Sequence, residues 1–364
     1  MVRNSQIAPG RRMADPFQAH PHRVQKFLHT GPARHLGRLS NLRVGIVNVF
    51  IVTPESAGGT SGNSITATRW AGIIRALGHE VTLGTEWQDR ECDVLIALHA
   101  RRSYSSVERF RSCYPNRATI VALTGTDLYH DLQVTDEARR SLALATRIVG
   151  LQNLASAELD EDVRGKLRII YQSAQPPSQR ETPRDDYFEI SVLAHLRDVK
   201  DPMRAALASR ALPPRSRIRI LHAGRAIEAK WEQLAVEESR MNPRYHWLGE
   251  QPHDEAIRLL ARSRVTVLSS LMEGGSSAIA EAVVCGVPVL GSKIPGNIGM
   301  LGPDFPGYFQ VEQTGQLAEL LTRAETDPVF LRSLKSAMEP FLFQFTPEQE
   351  RESWIRLLGE TNAG

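Results

Sequence analysis

The stretch from Arg264 to Ser292, RVTVLSSLMEGGSSAIAEAVVCGVPVLGS, restricts the fold more than any other part of the chain. Val265, Val267 and Leu268 form the short β-branched, apolar run of a buried strand. Met272-Glu273-Gly274-Gly275 breaks that run. Ser276 and Ser277 then stand where a helix N-cap belongs, and the AIAEAVVC that follows is a good helix former. Gly286 stops the helix, Pro288 comes two residues later, and Val287 to Leu290 reads as the next buried strand. Strand, loop, helix, strand in this order belongs to an α/β fold with a parallel sheet.

The loop has a chemical use. The first N–H groups of a helix have no partner within it and carry the positive end of its dipole, and glycines let an anion approach the backbone closely. Gly274, Gly275, Ser276 and Ser277 are therefore a candidate diphosphate cradle. Glu273 lies at the strand end and Glu281 on the second helical turn. Carboxylates accept hydrogen bonds from the hydroxyls of a ribose or a hexose. The plainer reading is a βα turn with a solvated glutamate on either side.

The same alternation runs through the chain. Val44 to Val52, Val81 to Leu83, Asp93 to Leu98, Ile120 to Leu123, Arg147 to Leu151 and Leu167 to Tyr171 read as strands of a first domain. A helix follows the glycine-rich loop Gly58–Asn63, with Ile65, Trp70, Ile73, Ile74 and Leu77 at helical spacing. Residues 173 to 187, SAQPPSQRETPRDDY, form a polar linker. Strands at Ile190–Ala194, Ile218–Leu221 and Tyr245–Leu248 then lead, through helices over 227–240 and 254–262, into the opening stretch. Residues 323–341 and 347–358 read as helices. The expected domains are an N-terminal extension (1–42) that is disordered or loosely packed, a first Rossmann-like domain (43–186), a second (187–346), and a C-terminal helix (347–364) returning to the first. Ligands of doubly wound sheets bind beyond the C-terminal ends of the strands. Gly62, Asn63, His99, Arg101, Arg102 and the Thr124–Asp127 turn, with Gly125 and Thr126, all fall there.

Composition excludes several classes. The 44 basic and 41 acidic residues leave a net charge of +3, too balanced for a nucleic-acid or membrane-surface protein. Only six of the basic residues are lysines, so a lysine near a motif is more informative than an arginine. Cys92, Cys113 and Cys285 have neither metal-ligand spacing nor a disulfide framework. No run is long and apolar enough for a membrane span, and the basic N-terminus lacks an apolar signal core, so the expected location is the cytoplasm. Asp160-Glu161-Asp162 has the form of a metal-binding triplet, but it sits in a charged helical surface.

Glu273, seven residues, Glu281, then Cys285-Gly286-Val287-Pro288-Val289, resembles the nucleotide-sugar site of family-four glycosyltransferases of the GT-B fold, in which two Rossmann-like doubly wound parallel-sheet domains face a central cleft. The resemblance implies that Gly275, Ser276 and Ser277 hold the donor diphosphate, that Glu281 holds the ribose, and that Glu273 holds the donor sugar. It implies that Arg197 and Lys200, in HLRDVKDP, neutralise that diphosphate, although the family more often spaces this pair further apart. It also implies that the strand end Trp247–Gln251, through Gly249 and Gln251, meets the base, and that no metal or other cofactor is needed. A departing nucleotide diphosphate gains negative charge, which Arg and Lys stabilise.

VTPESAGGTSGN, ALHARRS, ALTGTDLY and VLAHLRDVKDP are together similar to the selenosugar synthases of selenoneine biosynthesis. That likeness implies a UDP-sugar donor, UDP-N-acetylglucosamine in the first instance, and selenophosphate as acceptor. It also implies partners in selenophosphate supply and the next enzyme of that pathway. A soft, already anionic nucleophile needs little general base; it needs a phosphate-sized cationic pocket. His99, Arg101, Arg102, the Gly125-Thr126 backbone and Asp127 are the candidates for that pocket, with His99 also a possible base. The alternatives are a conventional transferase with a hydroxyl acceptor, a UDP-sugar epimerase, for which no acid–base pair is assignable, and a non-catalytic UDP-sugar sensor.

Overall fold

Two six-stranded sheets, every strand pair parallel, account for the body of the chain. The structure is a computed structural model and describes residues 45–55, 61–179 and 181–361. The N-terminal extension, Val44 and the Gly58–Thr60 part of the glycine-rich loop lie outside the described residues.

In the first sheet, β1 (Asn48–Val52), β2 (Glu80–Gly84), β3 (Val94–Leu98), β4 (Ala118–Ala122), β5 (Arg147–Gly150) and β6 (Leu167–Ile169) stand in the order β2-β1-β3-β4-β5-β6. In the second, β7 (Phe188–Leu193), β8 (Ile218–Ala223), β9 (Tyr245–Trp247), β10 (Val265–Leu268), β11 (Val289–Ser292) and β12 (Tyr308–Phe309) stand in the order β12-β11-β10-β7-β8-β9. Strand order therefore reverses between β1 and β3 in one sheet and between β7 and β10 in the other. At such a switch point the loops on two neighbouring strands leave toward opposite faces and open a crevice. The central strands β3, β4 and β10 are buried along their whole length, which is why they read as near-continuous apolar runs, broken only by Thr119 in β4 and Thr266 in β10.

One apolar core underlies the second sheet, and the first sheet has one on each face. The final helix, Pro347–Thr361, contributes Trp354, Leu357 and Leu358 to one face of the first sheet, with the Trp354 ring edge-on to Trp70 at 4.9 Å between centroids. Glu360 near its end accepts from Arg147 and Arg168 on β5 and β6.

Two local expectations are corrected. Residues 323–341 are not one helix: Thr314–Thr326 ends, Pro328–Met338 begins, and a 3₁₀ turn follows from Glu339. Pro328 has no N–H to continue the first helix, and the Asp327 side chain caps the second by accepting from Val329 and Phe330. Ile65 does not face the core with Trp70 and Ile74; it is 51% exposed and lines the cleft. Among the described residues, no helix is long and apolar enough to cross a membrane.

Candidate active site

A cleft of about 250 Å³ lies where the two switch points meet. From the first sheet it is lined by Glu55 after β1, His99 and Arg102 after β3, and Thr124 and Thr126 after β4. From the second it is lined by Arg197 and Lys200 after β7, by Ser269, Ser270 and Glu273 after β10, and by Ser276–Ala278 at the start of the next helix.

Lys200 ends a single 3₁₀ turn, Asp198–Lys200, and Asp201 behind it takes a left-handed conformation with φ 43°. This turn is tied to the loop after β10. Leu271 N–H donates to the Val199 carbonyl, and Ser269 Oγ to the carbonyls of Lys200 and Asp201. The tie delivers Lys200 Nζ to Glu273 Oε1 at 2.5 Å, and Ser270 Oγ donates to the same oxygen at 2.6 Å. Glu273 is buried and Lys200 half-buried, and both lie on the cleft lining, so this is a charge-assisted contact at the wall of the cleft. Arg197 is exposed at the edge of the cleft.

The helix Ser277–Cys285 begins without a side-chain cap, and Gly286 ends it at φ 66°. Ser276 N–H donates to the sulfur of Met300 at 3.1 Å. That N–H, expected in the diphosphate cradle, is therefore engaged, and the uncapped positive end of the helix faces the cleft at Ser277 and Ala278. Glu281 lies a turn further in, half-buried and behind the cleft lining. Burial pushes its carboxyl up to about 7, against the opposing charge of Arg69.

Gly274 and Gly275 have a use that the sequence does not announce. A Cβ on Gly274 would lie 2.5 Å from the Thr124 carbonyl group, and one on Gly275 2.4 Å from Leu151 Cβ. Both glycines let the two halves of the molecule touch through their backbones.

On the opposite wall the expected acceptor residues divide. Asp127 is fully buried; it accepts from the N–H groups of Ala100, Thr124 and Gly125 and faces no ligand. The Gly125 N–H is therefore engaged by Asp127 and not offered to an anion, while Gly125 itself sits against Gly274. Arg101 points away from the cleft lining, to Asp131 at 2.9 Å. Arg102 does line the cleft, paired with Glu55 at 3.3 Å. His99 has φ 71°, is buried, and accepts at Nδ1 from the Arg102 N–H at 3.5 Å, with Nε2 3.8 Å from Asp131. Burial lowers its pKa, Asp127 opposing and Arg102 adding, so the imidazole is neutral near pH 7. Gly62, Asn63 and Thr126 line the cleft. Gly249 and Gln251 lie outside that lining; the Gly249 carbonyl accepts from Gly224, and Gln251 donates to the Leu248 carbonyl.

Residues 175–339 match the family of group 1 glycosyl transferases. The chain is also similar to glycosyltransferase 1 domain-containing protein 1 of Xenopus tropicalis, 23% identical over 330 residues, which is 82% of this chain and 94% of that one. Among solved structures it is similar to HepE of Anabaena in complex with UDP and glucose (14% identity, TM-score 0.67, 86% of this chain and 100% of that one). It is likewise similar to sucrose-phosphate synthase of Thermosynechococcus elongatus (15%, TM-score 0.70, 87% and 99%). The likeness gives the fold: two parallel-sheet α/β domains in the GT-B arrangement.

The structure adds residues to the cleft that sequence reasoning passed over. Arg69, Thr66 and Ile65 share one face of the helix Gly62–Ala76 with Gly62. The three-to-four spacing was visible; what was not is that this face meets a cleft rather than the core. Ser270 carries no motif of its own, and Glu55 is one of many acids. Among the described residues no group of three or more His, Cys, Asp or Glu side chains is placed to hold a metal, and Asp160, Glu161 and Asp162 are no exception.

Proposed function

We propose that this protein is a glycosyl transferase that moves a sugar from a UDP-sugar, UDP-N-acetylglucosamine in the first instance, to selenophosphate. A selenium lone pair attacks the anomeric carbon while the bond from that carbon to the UDP oxygen breaks. UDP leaves with the bonding electrons. The first product is a sugar 1-selenophosphate; hydrolysis of its P–Se bond by water gives the 1-seleno sugar and phosphate.

In this reading the open start of the helix Ser277–Cys285 takes the diphosphate, and Glu281 accepts from the ribose hydroxyls. Glu273 accepts from the donor sugar, Gly249 and Gln251 meet the base, and Lys200 with Arg197 offsets the charge gathering on UDP. Charge alone serves this chemistry, with no metal assigned. The family match supports a glycosyl donor. The HepE structures, which hold UDP, UDP with glucose, and UDP-glucose, support a uridine nucleotide.

The observation that carries the acceptor is the state of the carboxylates on the first wall. Among the described residues, Asp127 is consumed by three backbone N–H groups, Asp131 by Arg101 and Glu55 by Arg102, and the one imidazole there is buried and neutral. A hydroxyl acceptor would draw on such a group as base. An acceptor that arrives ionised needs no base and can take the Arg102 guanidinium over from Glu55, an exchange of one anion for another at the cleft wall. Release of UDP from UDP-N-acetylglucosamine, followed by chromatography, tests this: release that requires selenophosphate supports the reading, and release driven equally by hydroxyl acceptors favours a conventional transferase.

A further inference from the structure

Arg69 is the one cation on the cleft face of the helix Gly62–Ala76, and it is held in place from behind. Its Nη1 donates to the Ser173 carbonyl of the linker and lies 3.9 Å from Glu350 Oε2 on the final helix. Glu350 is buried and itself fixed by three donors: Trp70 Nε1, Ser173 N–H and Ser173 Oγ. These contacts bracket the guanidinium between the linker and the final helix. In front, Arg69 shares the cleft with Ser276, Ser277 and Ala278, the uncapped first turn of the donor-site helix. Its charge also reaches Glu281, one turn further along that helix.

We infer that Arg69 is a donor-binding residue supplied by the first domain, its bracketed guanidinium placed to engage the phosphate of a nucleoside diphosphate seated at Ser276–Ala278 and Glu281. The inference rests on the donor reading above and adds to it a contact from the opposite half of the molecule. A planar, permanently charged fork whose rotamer is set beforehand loses little entropy on meeting a phosphate. The bracket also makes the final helix part of the donor site: Glu350, through Arg69, is a positioning residue for the nucleotide. The plainer role for Arg69, fastening the linker to the final helix, accounts for the contacts behind it but not for its place on the cleft.

The test uses the full chain and UDP as probe, with calorimetric Kd, melting temperature, and KM for donor and acceptor measured separately. R69Q should weaken UDP about 10- to 100-fold, the range for loss of a charged hydrogen-bonding partner. R69K, which keeps the charge but not the fork, should recover part of this. E350Q should weaken UDP by a smaller factor, and acceptor KM should move less than about twofold in R69K. R69Q binding UDP as tightly as the unaltered chain would overturn the inference. So would R69K and R69Q losing melting temperature equally while donor and acceptor KM rise together. E281Q separates the two readings: if E281Q weakens UDP and R69Q does not, only the role of Arg69 fails. If E281Q leaves UDP affinity intact, the donor assignment at this helix fails, and the role of Arg69 with it.

Discussion

Lys200 Nζ lies 2.5 Å from Glu273 Oε1, across the switch point between β7 and β10. The two residues stand 73 positions apart in sequence and meet because the loop after each strand is tied to the other, Leu271 to Val199 and Ser269 to Lys200. A cation delivered this way beside the open start of a helix is suited to a leaving diphosphate.

Lys200→Ala should therefore lower kcat by about 10²- to 10³-fold, the usual loss for one preorganised electrostatic group. Melting temperature should fall only modestly, since Ser270 still donates to Glu273. Turnover within a few-fold of the unaltered protein would remove Lys200 from the leaving-group role.

Arg101 and Arg102 are neighbours with different jobs, and their variants should separate. Arg102→Ala should raise acceptor KM about tenfold at near-constant melting temperature. Arg101→Ala leaves Asp131 buried without its guanidinium; burial raises that carboxyl, and Arg101 with His130 outweighs it and holds it below its ordinary value. Because Arg101 is itself half-exposed, the loss should be about 1 kcal/mol, or about 3 °C in melting temperature. Identical effects of the two variants on acceptor KM would contradict this division.

The local structure of the proposed donor half was legible because it is contiguous. One strand, loop and helix carries Glu273, Ser276, Ser277 and Glu281, and the signals that hold there are backbone signals: a β-branched run, a break and a glycine stop, whereas the serine cap expected at the helix start is not made. The acceptor wall is another matter. Glu55, Arg69, Arg102 and Thr124 come from four separate segments, and among 38 arginines nothing in the sequence singles out Arg69 and Arg102, which with Arg197 line the cleft. Asp127 sits at a strand end, where a ligand-binding acid belongs, yet its carboxylate turns back to hold its own turn together. Only the rotamer decides that, and the residue type is the same in both cases. Gly274 and Gly275 likewise read as room for a phosphate, while the structure fills that room with Thr124 and Leu151.

Gly274→Ala tests whether the two halves must touch there. A methyl group 2.5 Å from the Thr124 carbonyl cannot be absorbed by a side-chain movement, because its neighbour is backbone. Turnover should fall by more than about tenfold while UDP affinity changes little, and small-angle scattering should show a more open molecule. An alanine variant with full kcat would show that the contact is dispensable.

Glu281 gives the pH dependence. Burial raises its carboxyl to about 7, so it gains a proton as pH falls through that value and loses acceptor capacity for the ribose hydroxyls. UDP should bind more weakly at pH 6 than at pH 8, by about threefold or more, and Glu281→Gln should abolish that difference while weakening binding throughout. A pH dependence that survives in the variant would assign it to another group.

The most direct measurement of the central claim is the mass of the product. The protein is given UDP-N-acetylglucosamine with fresh selenophosphate, and in parallel with thiophosphate, with phosphate and with no acceptor. The account predicts UDP together with a selenium-bearing hexosamine, carrying the isotope pattern of selenium, in the selenophosphate reaction alone. UDP-sugar left intact in that reaction, or UDP formed without selenium entering the sugar, would contradict it.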